Sequence, residues 1–334
     1  MSLQDVTTRE RVLDELRTGE RFLLVTHENP DGDALGSLVA MHGTLTALGK
    51  DVVMFLAARD FPLPHEYRFF AFDDLVTAPP ADLPERTVVF LDCGNADRSP
   101  IEPDGALVLN VDHHHDNTRF GTVNHVDSSA SCTAEMVWDL MAGLGVDPTR
   151  EMAEALYVGL VTDTGRFMYE NTGRTAHVMA ADLIDQGVDV EKIYRRLYEG
   201  MPFAKLELLG RALQRVARYD DGAVTFTHVT AEDFTETGAE ESYTEGIVDH
   251  LRSVEGTRVA ALVRERSSSP PIRKASLRAV DGTVDVSAIA RAQGGGGHRR
   301  AAGFSTDLGI DEIVAFLRAA VAAQLDLGAD EQEG

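Results

Sequence analysis

The sequence predicts an α/β protein with two domains: an N-terminal domain with a parallel sheet flanked by helices, and a smaller C-terminal α+β domain with a mixed sheet. The 334 residues exceed the length of an ordinary single domain. In the first half, short and almost wholly apolar runs alternate with helix-like segments, which is typical of a parallel sheet covered on both faces. In the second half, apolar and polar residues alternate as in half-exposed strands. We place the first domain at 1–195, a helical linker at 196–220 and the second domain at 221–330.

The elements of the first half follow from apolar runs and the signals at their ends. A short polar helix is expected over 1–20. Strands are expected over 21–27, 51–57, 87–94 and 106–114. Helices are expected over 34–49, closed by Gly49, and over 133–145 and 149–165.

The second half begins with a helical stretch and continues as a mixed domain. Consecutive helices are expected over 172–219. Strands are expected over 222–230, 258–266 and 272–280, with a hairpin tip at 267–271. Helices near 285–293 and 309–325 complete this half.

Composition restricts the class of protein. A hydrophobic content of 43% supports globular cores, and the apolar runs are too short to span a membrane. Two cysteines, Cys93 and Cys132, cannot form a disulfide framework and have no Cys–His or CxxC spacing, which disfavours a thiol enzyme. No secretory leader is recognisable at the start of the sequence, so we expect a cytoplasmic protein.

Charge is unevenly distributed. The net charge is −24, which disfavours broad binding of long nucleic acid. Within 251–303, however, ten Arg and Lys residues outnumber four acidic ones. This basic segment predicts a small anionic ligand. The alternative is chance clustering on a very soluble surface.

Candidate metal ligands follow three predicted strands, and ligands of open α/β sheets bind beyond the carboxyl ends of strands. After the first strand, His27, Asp31 and Asp33 lie in a turn that Pro30 and Gly32 favour, so their side chains can converge. The alternative is an ordinary Pro-Asp-Gly turn in which Asp33 caps the next helix.

Asp92 and Asp163 need a positive partner for different reasons. Asp92 directly follows a buried strand, where an unpaired carboxylate is costly. It could instead be an ordinary turn residue. Asp163 ends a predicted helix, where its charge opposes the helix dipole. A cation would compensate both.

The third strand end carries Asp112 and three histidines. Because consecutive strand residues point to opposite faces, we expect His113 and His114 to divide their roles, one binding metal and the other facing substrate. His115 is expected to face solvent. The oxygen-rich set suits Mn²⁺ or Mg²⁺ better than structural zinc. With Asp92 as a bridge, two ions could lie about 3.5–4 Å apart, as in two-metal hydrolases.

Five motifs resemble the DHH/DHHA1 phosphoesterases, and most closely their NrnA-like group of bifunctional oligoribonucleases and PAP (phosphoadenosine phosphate) phosphatases. They are HENPDGDALGS, DCGNADR, VDHHHDN, GLVTDTGRF and GGGGHRRAAGF, and the resemblance extends over roughly 15–325. It implies that 1–195 is the catalytic, metal-binding DHH domain and that 221–330 is the substrate-binding DHHA1 domain. It also implies an active site in the cleft between them.

The resemblance also implies the roles of individual residues. One Mn²⁺ would be held by His27, Asp31 and Asp92. The other would be held by Asp33, Asp92, His113 and Asp163. His114 resembles the catalytic histidine that faces substrate, Asp112 resembles a residue that orients the imidazoles, and Arg98 resembles a structural or phosphate-side arginine.

The glycine-rich motif resembles the substrate-binding loop of the family. Its glycines would let backbone N–H groups approach an anion or a base, and its His and Arg side chains would clamp it. These residues are Gly295, Gly296, Gly297, His298, Arg299 and Arg300, preceded by Gly294. The alternative is a flexible glycine loop with incidental arginines.

The activity implied is Mn²⁺-dependent hydrolysis of oligoribonucleotides of a few nucleotides to mononucleotides, and of pAp to AMP and phosphate, with Mg²⁺ or Co²⁺ as substitutes. Cyclic di-AMP and pApA are alternative substrates, and a catalytically decayed nucleotide-binding module is the alternative of a different class. Pyrophosphatases of similar motif should lack the glycine-rich segment. Expected partners are short RNA, dinucleotides and pAp, without membrane or long duplex DNA, and a homodimer is compatible with the family.

Overall fold

The computed structural model describes residues 3–72, 74–103, 105–266 and 272–330. The chain divides into two compact units, Met1–Gly200 and Met201–Gly334. The narrower domain and linker boundaries expected from the sequence stay predictions.

The first unit contains a six-stranded parallel sheet. Its strands are β1 (Arg21–Val25), β2 (Asp51–Phe55), β3 (Leu75–Val76), β4 (Thr87–Leu91), β5 (Val108–Asp112) and β6 (Val123–Val126). They are arranged in the order β3-β2-β1-β4-β5-β6, and each printed pair is parallel. The predicted parallel sheet is therefore confirmed.

The helices of the first unit pack against one face of the sheet, and residues of the connecting segments cover the other face. The helices are α1 (Leu3–Thr18), α2 (Gly32–Ala47), α3 (Thr133–Leu144), α4 (Arg150–Asp163), α5 (Arg174–Asp185) and α6 (Val190–Tyr198). Along β1, Phe22 and Leu24 join one hydrophobic cluster, whereas Leu23 and Val25 join another. Burial of both faces explains why the strands are apolar at almost every position.

Two helix expectations need correction. The first helix is not simply polar, because Val12, Leu13 and Leu16 are buried in the core. Asp33 does not cap α2. The helix begins two residues earlier than expected, and the side chain of Asp31 accepts the capping hydrogen bonds from Asp33 N and Ala34 N, each at 3.1 Å.

Helices α2 and α4 lie unusually close together. A Cβ atom added at Gly36 of α2 would lie 2.3 Å from the carbonyl oxygen of Ala155 in α4. A Cβ atom at Gly159 would lie 2.9 Å from Oδ1 of Asp33. The glycines therefore let the helix that carries Asp33 contact the backbone of the helix that ends at Asp163.

The second unit contains a mixed sheet. Its strands are β7 (Ala217–Tyr219), β8 (Val224–Val229), β9 (Val259–Arg266), β10 (Ile272–Ala279), β11 (Gly296–His298) and β12 (Ala301–Thr306), in the order β11-β12-β10-β9-β8-β7. Strands β8 and β9 are parallel and the other neighbours are antiparallel. The predicted mixed sheet is confirmed. The predicted hairpin tip at 267–271 lies outside the described residues.

Five helices accompany this sheet in the described part of the second unit. They are α7 (Phe203–Gln214), α8 (Ala231–Thr237), α9 (Ile247–Arg252), α10 (Val286–Arg291) and α11 (Ile310–Asp330). The stretch 172–219 is not helical to its end, since its last residues form β7. Leu208 and Ala212 of α7 are fully buried with Val229 and Ile247, so α7 belongs to the core of the second unit.

Within the described ranges, no helix is long and apolar enough to cross a membrane. The cellular compartment stays a prediction.

Candidate metal centre

Ligand candidates meet where the strand order of the first sheet reverses. Strands β1 and β4 are neighbours in the sheet although β2 and β3 separate them in the chain. The chain leaves them in different directions, which opens a crevice beyond their carboxyl ends. His27 follows β1 and Asp92 follows β4, and both side chains are almost fully buried.

A first group of ligand atoms consists of His27, Asp31 and Asp92. Nε2 of His27 lies 3.5 Å from Oδ2 of Asp92. One ligand atom from each of the three residues lies within 4.8 Å of the others. Asp31 is solvent-exposed, so this group is open on one side.

A second group surrounds His113, which follows β5. Its Nε2 atom lies 3.7 Å from Oδ1 of Asp92, 3.8 Å from Oδ2 of Asp163 and 4.0 Å from Oδ2 of Asp33. One imidazole nitrogen thus faces three carboxylates. The two oxygens of Asp92 are divided between the groups, since Oδ2 faces His27 and Oδ1 faces His113.

The N-terminus of α3 positions Asp33. The backbone N–H groups of Thr133 and Ala134 donate to its two carboxylate oxygens at 2.7 and 2.8 Å. This is the positive end of the helix dipole, which favours an ionised carboxylate. The hydroxyl of Thr133 also donates to Oδ1 of Asp92 at 3.1 Å, so one helix start fixes two carboxylates.

Asp92 itself has a left-handed backbone conformation, with φ of 60°. Few residues other than glycine adopt this region, although Asp and Asn do so more readily than most. Its N–H group still donates to the carbonyl of Val111 in β5 at 3.1 Å. The turn therefore occurs directly at the strand end.

Asp163 is the last residue of α4, as expected. The side-chain amide of Asn171 donates to Oδ2 of Asp163 at 2.9 Å, to the carbonyl of Asp163 at 3.2 Å and to the carbonyl of Ser131 at 2.8 Å. This amide holds the carboxylate and one of the carbonyls exposed by the helix end.

Crowding of carboxylates changes their protonation. Burial, followed by repulsion from Asp92 and Asp163, raises the pKa of Asp33 well above its usual value. Burial also raises the pKa of Asp163 to about 7, against the opposing effect of His113. Asp92 behaves differently, because its hydrogen bond with His27 and the nearby histidine charges outweigh burial and lower its pKa.

The donor set fits divalent cations. Four carboxylates and two imidazoles offer oxygen and nitrogen ligands of the kind that Mn²⁺ and Mg²⁺ accept. Two of these carboxylates hold their negative charge poorly in the buried site, and a cation there would relieve the repulsion.

Asp112 and His114 form a pair beside this centre, and His114 also lies close enough to Asp92 and His113 to share an ion with them. Nδ1 of His114 lies 2.7 Å from Oδ1 of Asp112, and the amide of Asn117 donates to Oδ2 of Asp112 at 2.5 Å. Burial alone would lower the pKa of His114. The hydrogen bond to Asp112 and the charge of Asp92 outweigh burial and raise this pKa to about 9. The imidazolium form is therefore favoured at neutral pH.

The expectation that His113 and His114 point to opposite faces of a strand is wrong. Strand β5 ends at Asp112, so strand alternation does not apply to the residues after it. The two rings lie next to each other, with centroids 4.8 Å apart and planes inclined by 61°. Their surroundings differ, because Asp112 contacts Nδ1 of His114 whereas Nε2 of His113 faces Asp33, Asp92 and Asp163. His115 is exposed.

Comparisons with known proteins identify the family of this chain. A model of the DHH family, N-terminal domain, matches residues 21–160, and a model of the DHHA1 domain matches residues 223–323. The chain is 35% identical to the bifunctional oligoribonuclease and PAP phosphatase NrnA of Thermus thermophilus, over 91% of this chain and 89% of that protein. The chain belongs to the DHH family.

Two further comparisons support this membership. The protein of the same name from Bacillus subtilis is 28% identical over 86% of this chain and 89% of its own length. The crystal structure of an exopolyphosphatase-related protein from Bacteroides fragilis has the same fold, with a TM-score of 0.83 and 24% identity over 96% of this chain and 97% of that one. The predicted family, fold class and enzyme class, a phosphoesterase, are confirmed.

In this DHH-family chain, Arg98 contacts a predicted ligand. Its Nη2 atom lies 3.0 Å from Nδ1 of His27, which also lies 2.9 Å from the carbonyl oxygen of Glu28. The two contacts exclude each other, because Arg98 needs an acceptor and the carbonyl needs a donor. A metal at Nε2 requires the proton on Nδ1, so the carbonyl contact is the one compatible with a ligand role.

The glycine-rich segment of the DHHA1 domain is only partly a loop. Residues Gly296–His298 form β11, paired with β12. A Cβ atom at Gly295 would lie 2.2 Å from the carbonyl oxygen of Gly303, and one at Gly297 would lie 2.5 Å from that of Ala301. These glycines serve close strand packing, whereas the space beside Gly296 is open. Arg299 and Arg300 form the turn between β11 and β12, and a role of the segment in substrate binding stays a prediction.

Several arginines in and near this segment contact neighbouring backbone or acidic groups. Arg299 donates to the carbonyl of Gly282 at 2.9 Å, and both Arg299 and Arg300 are exposed. The side chain of His298 lies outside those described. Elsewhere in the basic segment, Arg258 pairs with Asp281 and Arg273 with Glu265, each at 2.7 Å. Part of the local positive charge is thus neutralised.

The sequence did not reveal Thr133, Asn117 and Asn171. Thr133 stands at the start of a helix whose N-cap is Cys132, with Glu135 in the first turn. A helix start at this position does not reveal the contact of Thr133 with Asp33. Asn117 and Asn171 follow their carboxylates by five and eight residues, but the path of the chain between them is not predictable from the sequence.

Proposed function

We propose that this chain is a Mn²⁺-dependent phosphoesterase that hydrolyses short oligoribonucleotides to mononucleotides and removes the 3′-phosphate of pAp. The convergence of His27, Asp33, Asp92, His113 and Asp163 at the strand-order reversal carries the proposal. Relatives named as oligoribonuclease and PAP phosphatase support the substrate class.

We assign the ligands according to the two groups of side chains. His27, Asp31 and Asp92 would hold one ion, and Asp33, Asp92, His113 and Asp163 the other. Bound divalent ions would supply positive charge for a phosphate group and lower the pKa of a water molecule. Thr133, Ala134 and Asn171 keep the carboxylates in place by hydrogen bonds.

His114 would act as the general acid. Asp112 holds its Nδ1 atom, which leaves Nε2 as the position from which a proton is given to the leaving oxygen. Its pKa of about 9 keeps the proton on the ring at neutral pH. The oxygen that leaves from ribose or from a nucleotide requires this proton.

The second domain would recognise the remainder of the substrate. The open space beside Gly296 and the exposed side chains of Arg299 and Arg300 suit a backbone and ionic contact with a nucleotide. Cyclic di-AMP and pApA present the same groups and are the alternative substrates.

Product analysis with Mn²⁺ tests the substrate class. We expect products from short oligoribonucleotides and from pAp, and much slower reaction with pyrophosphate and with a long RNA strand. Parallel reactions with pApA and cyclic di-AMP rank the alternatives. Cleavage of the long strand alone would contradict the proposal, and absence of any hydrolysis would favour the binding-module alternative.

Two adjacent histidines provide a matched test of the general acid. His114→Ala is expected to lower kcat by about 10²–10⁴-fold. His115→Ala removes a neighbouring, exposed imidazole and should leave kcat close to that of the wild type. Equal losses in both variants would show that His114 has no special role.

Asp92→Ala, which removes a carboxylate shared by both groups, should abolish hydrolysis.

A further inference from the structure

A cavity lies in the first unit, and its lining residues differ from the residues of the candidate metal centre. Its volume is about 360 Å³, within the range of about 300–1,000 Å³ found for small-molecule sites. Four segments line it, namely α2, residues 69–71, the first turns of α4, and α6. Within the described residues, its lining includes none of the proposed metal ligands.

Three cations and two carboxylates line this cavity. Arg150 donates to Glu154 at 3.0 Å. The ammonium group of Lys192 lies 4.0 Å from the Glu154 carboxylate, and Arg196 lies 3.8 Å from it, both beyond hydrogen-bond distance. Glu151 is the second carboxylate. Among the described lining residues, positive charge is therefore in excess, and two cations retain donor capacity toward an anion.

An aromatic wall stands beside these cations. The rings of Phe69 and Phe70 are stacked, with centroids 4.8 Å apart and planes inclined by 23°. Arg196 lies over the Phe69 ring, 5.0 Å from its centroid. Val39 and Ala155, which are buried, add further apolar surface to the lining.

We propose that this cavity binds a nucleoside monophosphate. The phosphate would meet Arg150, Lys192 and Arg196, and the base would lie against Phe69 and Phe70. An apolar ligand would offer no partner to the three cations, and a simple anion would leave the aromatic rings uncovered. A mononucleotide carries both a planar ring and a dianion. The proposal concerns a site that needs no metal, so it does not depend on the phosphoesterase activity.

Titration calorimetry with AMP in the presence of EDTA tests the site, because the chelator prevents hydrolysis and metal-bridged binding. The variant Arg196→Ala of the full chain is expected to bind AMP at least about tenfold more weakly than the wild type, because one cation and its stacking on Phe69 are lost. Adenosine and inorganic phosphate should each bind at least about tenfold more weakly than AMP.

The adjacent residue supplies the control. Arg195 belongs to the same helix, its side chain is 64% exposed, and it pairs with Glu191 and Glu199 outside the cavity. Arg195→Ala removes the same charge and should bind AMP with wild-type affinity. Equal affinities of the Arg195→Ala and Arg196→Ala variants would overturn the proposal.

A variant expected to bind AMP more tightly distinguishes loss of a binding contact from general damage to the fold. Glu154→Gln removes the carboxylate that competes for Arg150, Lys192 and Arg196, so it should tighten AMP binding several-fold. Weaker or unchanged binding by this variant, with a far-UV circular dichroism spectrum like that of the wild type, would overturn the assignment. Phosphate that binds as tightly as AMP would overturn the nucleotide class.

Discussion

Asn171 shows how one uncharged side chain can support a metal centre. Its single amide group contacts the carboxylate and the carbonyl of Asp163 and the carbonyl of Ser131. It thereby joins the end of α4 to the turn before α3. Groups that orient ligands in this way commonly affect metal affinity strongly although they do not touch the metal.

Replacing Asn171 by Ala should weaken Mn²⁺ binding about 10–100-fold, because the Asp163 carboxylate loses its donor. Titration calorimetry with Mn²⁺ measures the effect. Asn124→Ala is the matched control, since the amide of Asn124 bonds to Gly121 within its own turn. If both variants bound Mn²⁺ as the wild type does, the positioning role of Asn171 would be excluded.

At the scale of elements, the α2–α4 contact determines the distance between Asp33 and Asp163. Gly36→Ala should lower the free energy of unfolding of the first unit by about 1–3 kcal/mol, since the added methyl group would collide with the backbone of Ala155. Thermal unfolding followed by circular dichroism reports the change.

Gly210→Ala is the control for this packing effect. Gly210 lies within α7, and a Cβ atom there meets no atom within 4 Å. The substitution should stabilise the second unit by about 0.4–1 kcal/mol, because alanine loses less backbone entropy in a helix. A similar effect of both substitutions would contradict the role assigned to Gly36.

The main strands of the first unit could be predicted because both faces of the sheet are buried, which produces uninterrupted apolar runs such as that in β4. Strand β3 has only two residues, and β6 contains the polar residues Asn124 and His125, so neither produced such a run. In the second unit, the glycines of β11 concealed a strand, since glycine is typical of turns.

The candidate site was predictable to the extent that it follows strand ends. Parallel strands direct their carboxyl ends to the same edge, which brings His27, Asp92 and His113 together whatever the details of the loops. The neighbouring rings of His113 and His114 were not predictable, because they depend on where β5 ends. The hydrogen bonds of Thr133 and Asn171 depend on tertiary packing alone.

For the whole molecule, the buried carboxylates and histidines of the candidate metal centre link stability to pH. The pKa values of Asp33, Asp163, His27 and His114 are all raised in the folded chain, to about 7 for Asp163 and about 9 for His114. A raised folded-state pKa contributes stability below the unfolded pKa that is lost as pH rises through the folded value. The metal-free protein should therefore lose stability between about pH 5 and pH 8.

Scanning calorimetry across this pH range, with EDTA or with Mn²⁺, measures the effect. Mn²⁺ should raise the Tm most at the alkaline end, because deprotonated carboxylates and imidazoles bind the metal without competition from protons. In EDTA, Asp163→Asn should show a smaller decrease of Tm with pH than the wild type. If the Tm of the metal-free protein rose between these pH values, the buried carboxylates would not be the cause of the pH dependence of stability.

The proposed ligands are spread from His27 to Asp163, and this separation has a consequence for protein synthesis. While the chain emerges from the ribosome, β1, β4 and β5 can pair before α4 exists, yet the cluster around His113 stays incomplete until Asp163 has been added. The group around His113 is therefore completed late in the folding of the first unit, whereas His27, Asp31 and Asp92 are available earlier. On the proposed assignment of two ions, a chain that ends before α4 would lack a ligand of the second ion, so we expect an unfinished copy to hydrolyse no RNA.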